Sequence, residues 1–290
     1  MGANPTATSG AEVLELEDSM DLKSIGVLLR AGASPALGTI MNIMLRKHIN
    51  QNFFKTWKEE MSYILGYIVA DGCITISKER KNRPFSLNIT SVNKEHLYKI
   101  RKALDSNHKI SKKSGSGPNT IGYQLQIRNP VLTNDLINLR ILPRKTYNLD
   151  PIKVPEKYFP DFVRGFFDGD GTVYIYNVNK VPQIKASFIS SRLPFINSFN
   201  QELCRNLGIP IKMVHRDLPK RKHQKLIRYY TDFYIDDCEK LANFMYKNDP
   251  TLYLHRKRQV FDKWKIIKRR HYIKQNYPSK IGLQLNQKIA

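Results

Sequence analysis

Tyr63-Ile64-Leu65-Gly66-Tyr67-Ile68-Val69-Ala70-Asp71-Gly72 and Phe162-Val163-Arg164-Gly165-Phe166-Phe167-Asp168-Gly169-Asp170-Gly171 are two versions of one pattern. Each is a mostly apolar run that closes on Asp-Gly, and each leads into alternating, strand-like sequence. Asp71 and Asp170 stand 99 residues apart, the size of a compact half-domain, so the pattern predicts an internal duplication. Both runs have helical character. Gly66 and Ala70, and likewise Gly165 and Gly169, lie four apart and therefore share one helix face. A glycine inside a helix costs about 1 kcal/mol against alanine. Small residues at this spacing offset that cost by letting two helix backbones approach closely. The expectation is that the two runs pack on each other and bring their ends side by side.

Those ends carry Asp71 and Asp170. A carboxylate in the last turn of a helix faces the negative end of the dipole and is disfavoured there. Two of them together repel, an arrangement that a divalent cation between them relieves. Carboxylate and carbonyl oxygens are the hard ligands that magnesium prefers. Gly72 and Gly171, directly after, suit the left-handed residue that commonly ends a helix.

Around these runs the chain has alternating segments at Phe85–Thr90, Tyr123–Arg128 and Gln183–Phe188, and helical stretches at Lys94–Leu104 and Phe195–Leu207. Each half reads as helix, two strands, helix, two strands, helix. The predicted class is α+β, with two pseudo-symmetric αββαββα halves and antiparallel sheets whose polar faces form a saddle. The expected divisions are 1–50 as an N-terminal extension, 51–155 and 156–270 as the two halves, and 271–290 as a basic tail. Within the extension, Ser34 and Pro35 could open the second of two helices, either a degenerate helix-turn-helix or a plain helical appendage.

Charge narrows the partner. The 290 residues carry a formal net charge of +23, an excess that points to a polyanion, most often nucleic acid. Residues 1–50 have Lys23, Arg30, Arg46 and Lys47 against Glu12, Glu15, Glu17, Asp18 and Asp21, a balance of −1, which leaves +24 for residues 51–290. The polyanion-binding body therefore starts near residue 51. Cys73, Cys204 and Cys238 are far apart and form no CxxC pair, so neither zinc nor redox chemistry is indicated. No secretory signal or membrane span is read in the sequence, and an intracellular protein of the cytoplasm, nucleoid or organelle matrix is expected.

Ile64–Gly72 and Val163–Gly171 resemble the two motifs of single-chain LAGLIDADG homing endonucleases. The glycine at the third motif place and the closing Asp-Gly match in both copies. Val69 departs from the usual acidic sixth position, and Phe166 and Phe167 are larger than the motif's residues. The resemblance covers about residues 53–270. It implies a monomeric, intron-encoded endonuclease with internal pseudo-two-fold symmetry, cutting double-stranded DNA at a long asymmetric target and leaving short 3′ overhangs. Asp71 and Asp170 would bind Mg²⁺, with Mn²⁺ able to substitute, helped by the carbonyls of Ala70 and Gly169. The family also places a lysine near each scissile phosphate. Here Lys145 and Lys257, each after an arginine, stand 74 and 87 residues beyond their aspartates.

The strands' polar faces are candidates for reading base edges through Thr75, Ser77, Asn88, Gln124, Gln126, Arg128, Gln183, Lys185 and Arg228. Arg80, Lys81, Arg83, Lys112, Lys113, Lys180, Lys220, Arg221 and Lys222 would grip phosphate. Two other readings use the same scaffold: a group I intron maturase that binds intron RNA, and a DNA-binding regulator without cleavage.

Overall fold

The structure is a computed structural model that describes residues 47–77, 83–114, 121–218 and 226–276. The expected helix pair before residue 46, the positions of Arg80, Lys81, Lys220, Arg221 and Lys222, and the end of the basic tail lie outside these residues. In order, the elements are α1 (Glu59–Asp71), β1 (Gly72–Ser77), β2 (Arg83–Ser91), α2 (Lys94–Ala103), β3 (Ile110–Ser114), β4 (Ile121–Ile127), α3 (Pro130–Asn138) and the single turn α4 (Lys145–Asn148). A 3₁₀ turn at Glu156–Tyr158 opens the second series: α5 (Phe159–Asp170), β5 (Thr172–Val178), β6 (Val181–Ser190), α6 (Leu193–Leu207), β7 (Val214–Asp217), β8 (Arg228–Tyr234), α7 (Ile235–Tyr246) and α8 (His255–Asn276). The helix-strand-strand-helix-strand-strand-helix order expected of each half is present in both. The two four-stranded sheets have the same strand order, β1-β2-β4-β3 and β5-β6-β8-β7.

Local sequence explains where the helices start and stop. Asn93 caps α2 by accepting a hydrogen bond from the His96 N–H at 2.9 Å. Asn129 caps α3 in the same way from Leu132 at 3.0 Å, with Pro130 in the first turn. Glu59 and Glu60 place negative charge at the positive end of α1. Helix α6 ends at Gly208, whose φ of 60° is left-handed, with the Ile209 N–H reaching back to the Cys204 carbonyl at 3.1 Å.

The chain divides into two compact units. One holds the described residues up to Gln51 together with Asn88–Arg128; the other holds Asn52–Leu87 and everything from Asn129 on. In the first unit, β3 and β4 pair antiparallel from Ile110↔Leu125 to Ser114↔Ile121. Leu97, Ile100, Leu104, Leu125 and Ile127 are buried there.

The second unit contains α1 as well as α5, so the leading helix of the first half folds with the second half. Its core is aromatic. The Phe166 ring meets Phe188 at 5.7 Å, Phe195 at 5.3 Å and Phe199 at 5.0 Å, and Phe167 meets Phe188 at 5.2 Å and Phe261 at 5.7 Å. The bulk of these two phenylalanines therefore fills the space between α5, β6, α6 and α8. Ile184, Ala186 and Phe188 of β6 are fully buried, while Gln183, Lys185 and Ser187 alternate with them on the other face.

Candidate metal centre and nucleic-acid interface

Helices α1 and α5 pack through their glycines, as the spacing predicts. A Cβ on Gly66 would strike the backbone of Phe162 and Phe166, and one on Gly165 would strike the backbone of Tyr63 and Tyr67. A Cβ on Gly169 would collide with that of Ala70. Contact this close runs to the helix ends, where Asp71 and Asp170 stand together in partly buried positions.

Gly72 and Gly171 differ from expectation. Their φ values are −83° and −74°, with extended ψ, so neither is left-handed. Each helix passes straight into a strand without a left-handed turn. The glycines are required for space: a Cβ would lie 2.7 Å from the Ile68 carbonyl oxygen at Gly72 and 2.6 Å from that of Phe167 at Gly171.

Burial raises the pKa of Asp71, opposed by Lys145, Lys257, a hydrogen bond from Tyr67, and Arg256. Burial, and next the Asp71 charge, push Asp170 up to about 6, again opposed by the two lysines. The two carboxylates thus feel each other directly. Among the described residues, no group of three or more His, Cys, Asp or Glu side chains could hold a metal ion. Any cation at this place would rest on the aspartate pair and on oxygens of other kinds.

Both predicted lysines reach this place, and what they do there was not legible in the sequence. Lys145 Nζ donates to the carbonyls of Val69 and Ala70, each at 2.6 Å. Lys257 Nζ donates to Phe167 at 2.5 Å, Asp168 at 2.8 Å and Gly171 at 2.6 Å, with Gly169 farther away at 3.5 Å. The Val69, Ala70 and Asp168 carbonyls are among those that a helix end leaves without intrahelical partners, whereas the Phe167 carbonyl also accepts from the Gly171 N–H at 2.8 Å. Burial lowers the pKa of both lysines, opposed by nearby aspartates, and brings Lys257 to about 8.

Three further buried groups escape sequence reasoning. Asp168 Oδ2 accepts from the Tyr63 hydroxyl at 2.7 Å and from the Leu254 N–H at 2.8 Å. Its burial outweighs these bonds and raises its pKa to about 6. Arg164 donates to the Leu252 and Met245 carbonyls, each at 2.8 Å, and pairs with Asp161 at 2.7 Å. The one signal for Arg164 and Asp168 was their mismatch with Leu65 and Val69 in the first copy.

The candidate base-reading residues fall into distinct settings. In the first unit, Gln126 and Arg128 are exposed, whereas Asn88 is only 6% exposed and accepts from Gln124 Nε2 at 3.4 Å. Lys112 and Lys113 are exposed on β3. In the second unit, the Thr75 and Ser86 hydroxyls lie 2.7 Å apart, Ser77 and Gln183 are partly exposed, and Lys180 is exposed in the β5–β6 turn with a φ of 67°. Lys185 pairs with Asp232 at 2.7 Å and Arg228 with Asp217 at 2.6 Å. Arg83 starts β2; nothing is described of its side chain. Among the described residues, no helix is long and apolar enough to cross a membrane.

Residues 58–132 match the family model of the LAGLIDADG-like domain. No curated protein sequence matches the chain. Among solved structures, the LAGLIDADG homing endonuclease I-GzeII in complex with its DNA target is similar at 13% identity, covering 79% of this chain and 96% of that one, with a TM-score of 0.46. The LAGLIDADG meganuclease I-AabMI bound to uncleaved DNA is similar at 14% identity, covering 78% and 96%, with a TM-score of 0.47. Full-length DUF199/WhiA from Thermatoga maritima is similar at 11% identity, covering 81% and 68%, with a TM-score of 0.42. The family match thus falls on α1 through the start of α3, and α5 (Phe159–Asp170) repeats the glycine-spaced pattern closing on aspartate that α1 carries.

Proposed function

We propose that this protein is a site-specific, double-strand DNA endonuclease that works with divalent metal at the joined ends of α1 and α5. One observation carries the reading: glycine-seamed helices hold Asp71 and Asp170 together, partly buried, against their mutual repulsion. The donor set suits a hard cation. Asp170, raised by burial and by its neighbour, is the group that a cation would return to the charged form.

Asp71 and Asp170 would hold Mg²⁺, or Mn²⁺ in its place, with the Ala70 and Gly169 carbonyls as further oxygens. The Ala70 carbonyl already accepts from Lys145, but a carbonyl oxygen has a second lone pair. Bound metal would supply an acidified water and charge stabilisation at the phosphodiester. The protein's own groups do the rest. The aspartates fix the place of attack between the two halves, and the lysines add positive charge beside it. Gln126, Arg128 and Lys180 offer exposed polar and basic groups to a duplex, and the +23 charge draws the polyanion in. Because the halves differ in sequence, the target is asymmetric; the family resemblance implies further that it is long and that the two cuts leave short 3′ overhangs. The chain acts as a monomer, since both motifs are in it.

The test uses the full chain and an Asp170→Asn variant, incubated with a randomised duplex library and Mg²⁺ or Mn²⁺, with sequencing of the cut ends. The native protein should produce recurrent ends from one asymmetric site, and the variant should produce none. Duplex binding without cutting in either metal, or salt-dependent binding of RNA alone, overturns the proposal.

A further inference from the structure

We propose that Lys145 and Lys257, which occupy matching places in the two halves, do different work. Lys145 is the lysine that presents a donor to the phosphodiester, and Lys257, locked together with Asp168, is a clamp that fixes where Asp170 stands. The role of Lys145 rests on the nuclease reading above; the clamp does not.

An ammonium has three N–H donors. Lys257 directs them at three carbonyls within 2.8 Å, those of Phe167, Asp168 and Gly171, and the residue is only 3% exposed. It has no donor left for a substrate. Lys145 uses two donors, on Val69 and Ala70, and is partly exposed. One N–H remains, on a group close enough to feel both Asp71 and Asp170.

Asp168 closes the clamp from the other side. Its carboxylate takes the Leu254 N–H, and the Leu254 carbonyl takes the N–H groups of Lys257 and Arg258 at 3.0 and 3.2 Å, which begins α8. The end of α5 therefore holds the start of α8 through a side chain, and α8 holds the end of α5 through Lys257. The Tyr63 hydroxyl ties α1 into the same carboxylate. The first half has Val69 where Asp168 stands, so Lys145 enters on the short turn α4 with no matching carboxylate to lock it. Asp168 is thus a positioning residue: it acts on Asp170 through Lys257 and the last turn of α5.

The experiment is a short pulse of a lysine-acylating ester on the full chain, with modified sites mapped by peptide mass spectrometry. Lys145 should be acylated at least about ten times faster than Lys257, since each opening of a locked site limits its reaction. Randomised duplex DNA should protect Lys145 and leave Lys257 unchanged. Asp168→Asn should raise the Lys257 rate several-fold and leave the Lys145 rate alone, which general destabilisation would not do. In a companion cleavage assay, Lys145→Met should lower kcat on the order of 10²-fold at unchanged duplex affinity. Equal acylation of the two lysines, or an unchanged Lys257 in Asp168→Asn, overturns the clamp. A Lys145→Met variant that cuts like the native chain overturns the phosphate role. A native chain that cuts no DNA removes the nuclease reading and that role together, while acylation still decides the clamp.

Discussion

The two motif helices are alike where they face each other and unlike where they face their own halves. Gly66 and Gly165, Ala70 and Gly169, Asp71 and Asp170, and Gly72 and Gly171 form matched pairs along the seam. Leu65 and Val69 are buried apolar side chains, whereas their counterparts Arg164 and Asp168 are buried with hydrogen-bonded partners in the segment 245–254. A change on the seam must be accepted by both helices at once. A change at Arg164 or Asp168 must suit the segment 245–254, and Tyr63 of α1 as well. The two copies thus match along their shared seam and differ at the outer positions, where α5 has Arg164 and Asp168 and α1 has Leu65 and Val69.

The largest effect should come from the seam. Gly165→Val places side-chain atoms into the Tyr63 backbone, and Gly66→Val does the same to Phe162. Overpacking against backbone exceeds the usual ~1–3 kcal/mol, and a loss of ~10 °C in Tm or of a cooperative transition is expected by calorimetry. If either valine variant melts like the native chain, the helices do not meet as described.

Exchanging the outer residues comes next. Val69→Asp puts a carboxylate into a site only 2% exposed, and about 3 kcal/mol of destabilisation is expected in urea unfolding. Asp168→Val removes two hydrogen bonds and leaves the Leu254 N–H without its carboxylate acceptor, at a cost of about 2 kcal/mol. Equal and small effects would mean that the two copies are not anchored differently.

The aspartate pair makes a pH prediction for the protein in chelator. Asp170 is raised from 3.8 to about 6 in the folded chain. Between those values the folded chain binds more protons than the unfolded chain, so stability is greatest on the acid side and falls as the pH rises through about 6. Asp170→Asn should lessen that fall and raise Tm at pH 7.5 by a few degrees, although Asp168, also raised to about 6, keeps part of the slope. A variant with the native pH profile would show that the Asp170 carboxylate is not desolvated.

The smallest effect concerns the equivalent helices α2 and α6. Helix α6 ends on left-handed Gly208, whereas α2 ends on Leu104 with a φ of −73°. Space is open around Gly208, so Gly208→Ala costs only backbone strain, about 1 kcal/mol by thermal melting. A larger loss would reveal packing that the open space denies.

Much of the fold was legible because periodicity and small-residue spacing are local. The strands extend the alternating segments by one or two residues at most ends, and α2 and α6 fall where the apolar period placed them. The seam was legible because a glycine in a helix needs a reason. The compact units were not, because which half owns α1 depends on the α1–α5 contact and not on chain order. The left-handed reading of Gly72 and Gly171 came from a general preference at helix ends, whereas close packing in the last turn is what requires glycine there. The lysines were legible by placement, but their acceptors were not: backbone carbonyls leave no mark in a sequence. Asp168 and Arg164 were visible only as mismatches between the copies.

Asp71 and Asp170 are proposed to share one divalent-metal centre. Mn²⁺ binding to the full chain, followed by the electron paramagnetic resonance signal of the free ion, tests it most directly, with native protein compared to Asp71→Asn and Asp170→Asn. The native chain should bind saturably, and each variant should lose at least roughly tenfold in affinity, since one of two charged ligands is gone. Either variant binding Mn²⁺ as tightly as the native chain would contradict it.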